Sequence, residues 1–467
     1  MNKTRYFLIP SNLQGVNKIL YDAMCLYISK NAGKEIENIS FNPKGEIIGI
    51  ILSSDFIFAV SKLIIWSVAS AFYTHNVLPG FRYNNIDIGR YAAAAALRDP
   101  EACYKKIKFN RRFVASLVKG IIYHVYALRV YRYVSYAYLG DTLYLKGIVI
   151  DTLLQKQVAT FMKFYPYGLV TSNCDKLDQL SIIIHKNNRE GYAEDQVHQY
   201  MNNRLENPKK TIPYYKVEER DVFNIQNKYK YCAVIYAHSF TDVQLNYGYT
   251  DKFKSVYEWL TFTLNTLIKA NDTHIILKGH PNFWAPRHEA QVVGWDKKIW
   301  RKLVKQYENN NQISIIDWPL NNYTLLKKLD KESTLLISHH GNALVEGAYL
   351  GYKTLSSVCS LWGEKYNFGE VWEDPAQYLN KLLDSTWDFN VNQQEACRFI
   401  YDNFMNPYGS SGYYFFMNLI SLYTNIDIKL LMQQPSLAED LKIPSYNELL
   451  NEICRGIANT KISNFYQ

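Results

Sequence analysis

Between residues 231 and 358 short apolar runs alternate with helix-like stretches, and this alternation constrains the fold more than any other feature of the chain. YCAVIYA (231–237), HIILKGH (274–280), QISIID (312–317), TLLISHHG (334–341) and KTLSSV (353–358) read as strands. Runs that are apolar throughout belong to strands covered on both faces, as in a parallel sheet. Helical patterns separate them at about 251–269 and 297–308, in NNYTLLKKLD and in NALVEGAYLG. Strand and helix in turn, four times over, predict an α/β unit with helices on both faces of a parallel sheet. Ligands of such sheets bind outside the carboxyl ends of the strands.

The first half of the chain alternates less regularly. RYFLI (5–9) reads as a strand, and YGLVTS as another short one. Residues 47–73 are long and apolar enough to suggest a membrane span, but Asp55 and Lys62 divide them. A charge at the centre of a spanning helix is costly, so the segment reads instead as a short buried strand (47–52) and a core helix (about 56–72). From 105 to 138 Lys and Arg interleave with aromatics at helical spacing, either a surface for membranes or polyanions or a helix with one packed face. GDTLYLKG (140–147) then reads as a turn entering a helix. Residues 186–230 are polar and charged, the composition of an interdomain linker. The expected organisation is a first domain over 1–225, a second over 226–400, and a helical segment, 401–467, packing back on the first.

With 48% hydrophobic and 20% charged residues the chain buries a sizeable core, which excludes disorder as its bulk state. A net charge of +9 over 467 residues is too thin for a dedicated nucleic-acid binder. It suits anionic small ligands or an anionic membrane face, and equally ordinary solubility. Seven scattered cysteines form no short ligand spacing, so neither a zinc site nor a disulfide framework is indicated. The opening MNKTRYFLIPSN lacks the apolar core of a signal peptide, and a reducing cytoplasm is the expected compartment.

Three strand ends carry chemistry. After the first come His238, Ser239, Thr241 and Asp242, where Asp242 is either a base or carboxylate nucleophile or simply a helix cap. In LKGHPNFW, Lys278 and His280 alternate along a strand end and face one side, a pair able to neutralise a phosphate. In SHHGNALVEGAYLG, Ser338, His339, His340, Gly341 and Asn342 lead into a helix whose N-terminus suits an anion. Glu346 is placed to accept ribose hydroxyls, and Gly347 and Gly351 to permit close packing. Adjacent histidines on a strand point to opposite faces, which argues against a shared metal ion. Neither GxGxxG nor a P-loop is present, so a dinucleotide site and a P-loop NTPase are excluded.

The run of strand–HSFTDVQLNYG, the Trp-containing helix YEWLTFTLNTL, strand–KGHP and strand–SHHGNALVEGAYLG resembles the bacterial capsule-polysaccharide glycosyltransferases, above all the retaining β-Kdo transferases. The resemblance spans about 230–360, with GDTLYLKG similar to an acceptor-side element. It implies a GT-B fold, two Rossmann-like domains facing across a cleft, with CMP-activated Kdo as donor, a surface glycan or glycolipid as acceptor, and no metal or other cofactor. By position it makes Asp242 the nucleophile, His280 and Lys278 the donor-phosphate contacts, and His238, Ser239, Ser338, His339, Gly341, Asn342 and Glu346 the donor cradle. Asp141 and Tyr144 fall on the acceptor side. Gly279 inside KGHP and the His339–His340 pair depart from the family's pattern. The net charge of +9 and the basic aromatic stretch at 105–138 make the expected location cytoplasmic and peripheral to the inner membrane, without nucleic-acid partners. A sugar-nucleotide 2-epimerase, a polyol-phosphate polymerase and a non-catalytic membrane-apposed binding protein on the same scaffold are the rival readings.

Overall fold

A computed structural model describes residues 5–11, 21–22, 25, 36–72, 80–97, 111–139, 145–156, 158–161, 194–206, 229–240, 253, 255–284, 290–360, 362–363, 366–384 and 386–401. The expected strand at YGLVTS and the expected helical segment 401–467 lie outside the described residues. The described chain divides into two units, the first holding residues up to 96 and 111–161, the second 194–401.

The first unit is built on a four-stranded parallel sheet in the order β2-β1-β5-β6. Its strands are β1 (Arg5–Pro10), β2 (Ile36–Phe41), β5 (Val134–Tyr138) and β6 (Ala159–Phe161). A two-stranded antiparallel pair, β3 (Arg82–Tyr83) and β4 (Ile86–Asp87), precedes α3 (Ile88–Leu97). The strand expected at 47–52 is a helix, α1 (Ile47–Ile51), followed by α2 (Ser54–Phe72). A five-residue apolar run fits strand and helix equally well. Here the Asn42 side chain accepts from Gly45 N–H at 3.1 Å, turning the chain so that a helix starts where β2 has just ended. α4 (Arg111–Val130) buries Phe113, Leu117, Ile121 and Val125 along one stripe, the packed-face reading of the basic aromatic segment. It is also the one helix among the described residues that is long and apolar enough to cross a membrane, and half of it is buried. α5 (Leu145–Gln155) packs against it.

The second unit carries a six-stranded, wholly parallel sheet in the order β12-β11-β10-β7-β8-β9. The strands are β7 (Tyr231–Tyr236), β8 (Thr273–Lys278), β9 (Ile313–Ile316), β10 (Thr334–Ile337), β11 (Lys353–Ser357) and β12 (Glu370–Trp372). Five of these were expected; β12, a three-residue edge strand, carries too little pattern to be read. The helices are α6 (Glu194–Glu206), α7 (Val256–Leu267), α8 (Ala290–Tyr307), α9 (Asn322–Leu326), α10 (Ala343–Tyr349), α11 (Pro375–Leu383) and α12 (Gln393–Ile400). α7 starts on the N-cap Ser255, whose Oγ accepts from Glu258 N–H at 3.1 Å. It buries Trp259, Leu260 and Leu264 against Ile235, Leu277 and Trp372. The α/β class expected from the strand–helix alternation is thus what the chain forms, with a parallel sheet in each unit.

One boundary differs from expectation. The polar stretch 186–230 contains α6, which packs on α9 and α12, so the second unit begins well before residue 226. Asn321 Nδ2 donates to Leu205 O at 2.9 Å, and His198 Nδ1 meets Tyr349 Oη at 2.8 Å.

Candidate active site

The strand order fixes where the second unit's crevice lies. From β7 the chain proceeds to β8 and β9 on one side, then crosses to β10 on the other. The switch point therefore falls between the carboxyl ends of β7 and β10, the place where open α/β sheets bind ligands. His238 follows β7 there and His340 follows β10, with ring centroids 3.8 Å apart. His280, beyond β8, lies 5.2 Å from His238. Three imidazoles from three strand ends thus share one place.

Burial governs their charge. His238 is lowered to about 4, first by desolvation and then by the nearby His339. His280 is pushed well below the usual histidine value by burial, then by His238 and by the Lys278 charge. His340 is lowered in the same way, by burial and by the three other imidazoles. The site therefore presents neutral imidazoles at neutral pH, able to donate an N–H or to take up a proton when an anion arrives. Lys278, only 4% exposed, is lowered to about 8 by burial against the opposing pull of Glu346. Its Nζ lies 6.0 Å from the Tyr236 ring. Lys278 lies near enough to His280 for its charge to lower the imidazole.

The expected histidine pair divides differently from expectation. β10 ends at Ile337, so the strict alternation of a strand does not extend through 339 and 340. Their Nδ1 atoms meet at 2.6 Å. His339 turns its ring to Trp259 and Trp372, 5.7 and 6.1 Å away, and backs the site from within the core. His340 takes the position facing His238. Among the described residues no three His, Cys, Asp or Glu side chains are grouped so as to hold a metal ion.

Several of the other expected contacts are already engaged within the protein. Ser239 Oγ donates to the buried carboxylate of Asp296, which also accepts from Phe240 N–H at 2.9 Å. Asp296, on α8, thereby fixes the path of the chain leaving β7. Sequence reasoning missed it because its partners lie more than fifty residues away. Ser338 Oγ donates to Tyr236 O at 3.3 Å and accepts from Gly341 N–H at 3.2 Å, locking the turn after β10. The Gly341 N–H that Ser338 takes lies in the turn just ahead of the N-cap Asn342, and the helix that follows, α10, has seven residues. Asn342 is exposed at the head of that helix. Glu346 holds Arg204 of α6 at 2.8 Å and accepts from Asn322 Nδ2 at 2.9 Å, while Asn322 Oδ1 accepts from Tyr236 Oη at 2.7 Å. Each of its oxygens thus already has a partner within the unit. Burial works against the Arg204 charge, but Glu346 and Tyr200 more than offset this and hold the guanidinium protonated.

Gly279, which departs from the family's pattern, has a local reason. A Cβ there would lie 2.5 Å from Trp284 and 3.1 Å from Trp300, so glycine lets two indoles close over the end of β8. Gly347 meets the expected close packing, since its Cβ would stand 2.1 Å from Leu336 Cδ1. Gly351 serves instead as a left-handed helix terminus, φ +86°. Asp242, Thr241, Asp141 and Tyr144 lie outside the described residues.

No protein-family model matches the chain, and no curated protein does. Among solved structures it is similar to KpsC, a β-Kdo 2,4 transferase of Thermosulfurimonas dismutans, with 11% identity and a TM-score of 0.35 over 57% of this chain and 78% of that one. It is similar to a UDP-GlcNAc 2-epimerase of Methanocaldococcus jannaschii, with 13% identity and a TM-score of 0.24 over 85% of this chain and 98% of that one. It is also similar to an α,α-trehalose 6-phosphate synthase of Burkholderia multivorans, with 8% identity and a TM-score of 0.32 over 99% of this chain and 98% of that one.

Proposed function

We propose that the chain is a GT-B glycosyltransferase that moves Kdo, or a similar 3-deoxy-ulosonic acid, from a CMP donor to a bacterial surface glycan or glycolipid. The observation that carries this reading is the meeting of His238, His280 and His340 beside Lys278 at the switch point of a parallel sheet. Imidazole N–H groups and one buried ammonium suit a phosphate ester that must leave with negative charge. The sequence resemblance over 230–360 supplies the sugar and the nucleotide.

In this reading the Asp242 carboxylate attacks the anomeric carbon as the bond to the donor phosphate oxygen breaks and CMP leaves. The acceptor hydroxyl, losing its proton to solvent, then displaces the Asp242 carboxylate, and two inversions retain configuration. His280 and Lys278 stabilise the departing phosphate, His238 and His340 line the donor side, and Asp141 and Tyr144 belong to the acceptor side. No metal or additional cofactor takes part, and the enzyme works at the cytoplasmic face of the inner membrane without nucleic-acid partners.

Thermal unfolding with nucleotides tests the reading. CMP at a hundredfold excess over its dissociation constant should stabilise the protein by about 2.7 kcal/mol, with UDP inert. Stabilisation by UDP but not CMP would indicate epimerase-like chemistry, and stabilisation by neither a non-catalytic scaffold.

A further inference from the structure

Among its described residues the first unit bears an apolar helix surface exposed to solvent. α2 buries one stripe, with Ala59 and Leu63 inside and Trp66 5.7 Å from Phe81. Its opposite side carries Ile57, Phe58, Ile64, Ile65 and Val68, each between 57 and 68% exposed. At 3.6 residues per turn these five fall within an arc of about 120°. Ser61 lies inside that arc and returns its hydroxyl to Ile57 O at 2.9 Å. Lys62 borders the arc, with its Nζ 5.3 Å from the Tyr83 ring. α1 continues the surface with Ile48 and Ile51, and Leu52 follows at 75% exposure. α4, which packs on both helices, adds Val114 and Val118. Single exposed apolar residues are ordinary, whereas a contiguous group of this size marks an interaction surface.

Charge identifies the partner. Across α1, α2 and α4 one carboxylate, Asp55, stands against five cations, Lys62, Arg111, Arg112, Lys119 and Arg129, of which Arg129 pairs at 3.3 Å with Glu46 at the head of α1. An apolar helix face bordered by Lys and Arg is how a helix lies in the interface of an anionic bilayer. We infer that the outer face of α1 and α2 seats the protein in the headgroup–acyl boundary of an anionic membrane, with α2 parallel to the surface. The basic aromatic segment at 105–138, the sequence-based expectation for membrane contact, supplies the flanking charge, and residues 48–68 supply the inserting surface. This inference stands on the first unit alone, so failure of the CMP test would leave it intact.

Flotation of the full chain with phosphatidylcholine vesicles, with and without phosphatidylglycerol, tests it. Partitioning should be at least about tenfold stronger on the anionic vesicles and should weaken with salt. The triple variant Ile57→Glu/Ile64→Glu/Ile65→Glu should lose at least about tenfold in partitioning while its unfolding temperature is unchanged, because all three side chains face solvent. An environment-sensitive fluorophore on Ile65→Cys should shift to the blue when anionic vesicles are added. Absence of flotation, or flotation undiminished in the triple variant, would overturn the inference. So would a dimer in light scattering that the same substitutions dissociate, since a second copy would then be the covering partner.

Discussion

Mild acid should destabilise the second unit, and His238 sets the size of the effect. An imidazole held near 4 in the folded chain returns to about 6.5 when the chain unfolds. The unfolded state therefore binds protons first as pH falls. Stability that is intact above pH 6.5 is lost progressively down to about pH 4. Between pH 7.5 and 5.0 linkage gives about 2 kcal/mol for His238 alone, an upper figure because the residue is only partly buried. His280 and His340 add losses of the same sign, since both are lowered by burial. The lowered carboxylates, Asp330 and Asp384, titrate below this window and do not confuse it. Urea unfolding followed by tryptophan fluorescence is the assay, because eight of the nine tryptophans lie between 259 and 387. With a urea dependence of about 2 kcal/mol/M, the His238 share corresponds to a midpoint shift of about 1 M. His238→Asn should reduce the difference between the two pH values by that share, whatever it does to stability at either one. An unchanged difference in the variant, or a parent protein equally stable at both pH values, would refute the reasoning.

Two further outcomes are expected. Glu346→Ala leaves Arg204 buried without its carboxylate, and unfolding experiments should show a loss of roughly 3–5 kcal/mol; Arg204→Met in the same chain should recover much of it. Asp242→Asn should lower turnover of CMP-Kdo by several orders of magnitude with donor binding retained, whereas His280→Ala should weaken donor affinity and rate together; near-normal turnover in Asp242→Asn would reduce that residue to a helix cap, a role Asn fills about equally well.

The second unit was legible because β7, β8 and β10 are apolar on both faces, and strands buried on both sides announce themselves without alternation. The meeting of His238, His280 and His340 was legible in position for the same reason: polar residues directly after such strands have one place to go. What those residues do there was less legible. Ser239, Ser338 and Glu346 look alike as site residues in sequence, yet each is claimed by a partner distant in the chain: Asp296, Tyr236 and Arg204. His339 and His340 misled because β10 stops at Ile337, before the alternation that would have separated them. α1 was read as a strand because five apolar residues carry no period. α6 was read as linker because only Val197, Met201 and Leu205 of its thirteen residues are buried, too narrow a stripe to stand out in a charged stretch.

That helix also sets an order of events during synthesis. Arg204 is translated 142 residues ahead of Glu346, the group that neutralises it. At 5–20 residues per second the wait is about 7–30 s. A thirteen-residue helix with a thin apolar stripe is marginal alone in water, so α6 leaves the ribosome without a stable seat. Its docking must follow the emergence of β10 and α10, which makes the segment that reads as a connector one of the last pieces of its unit to settle. Until then its cleavage by a protease would report on the progress of the nascent sheet.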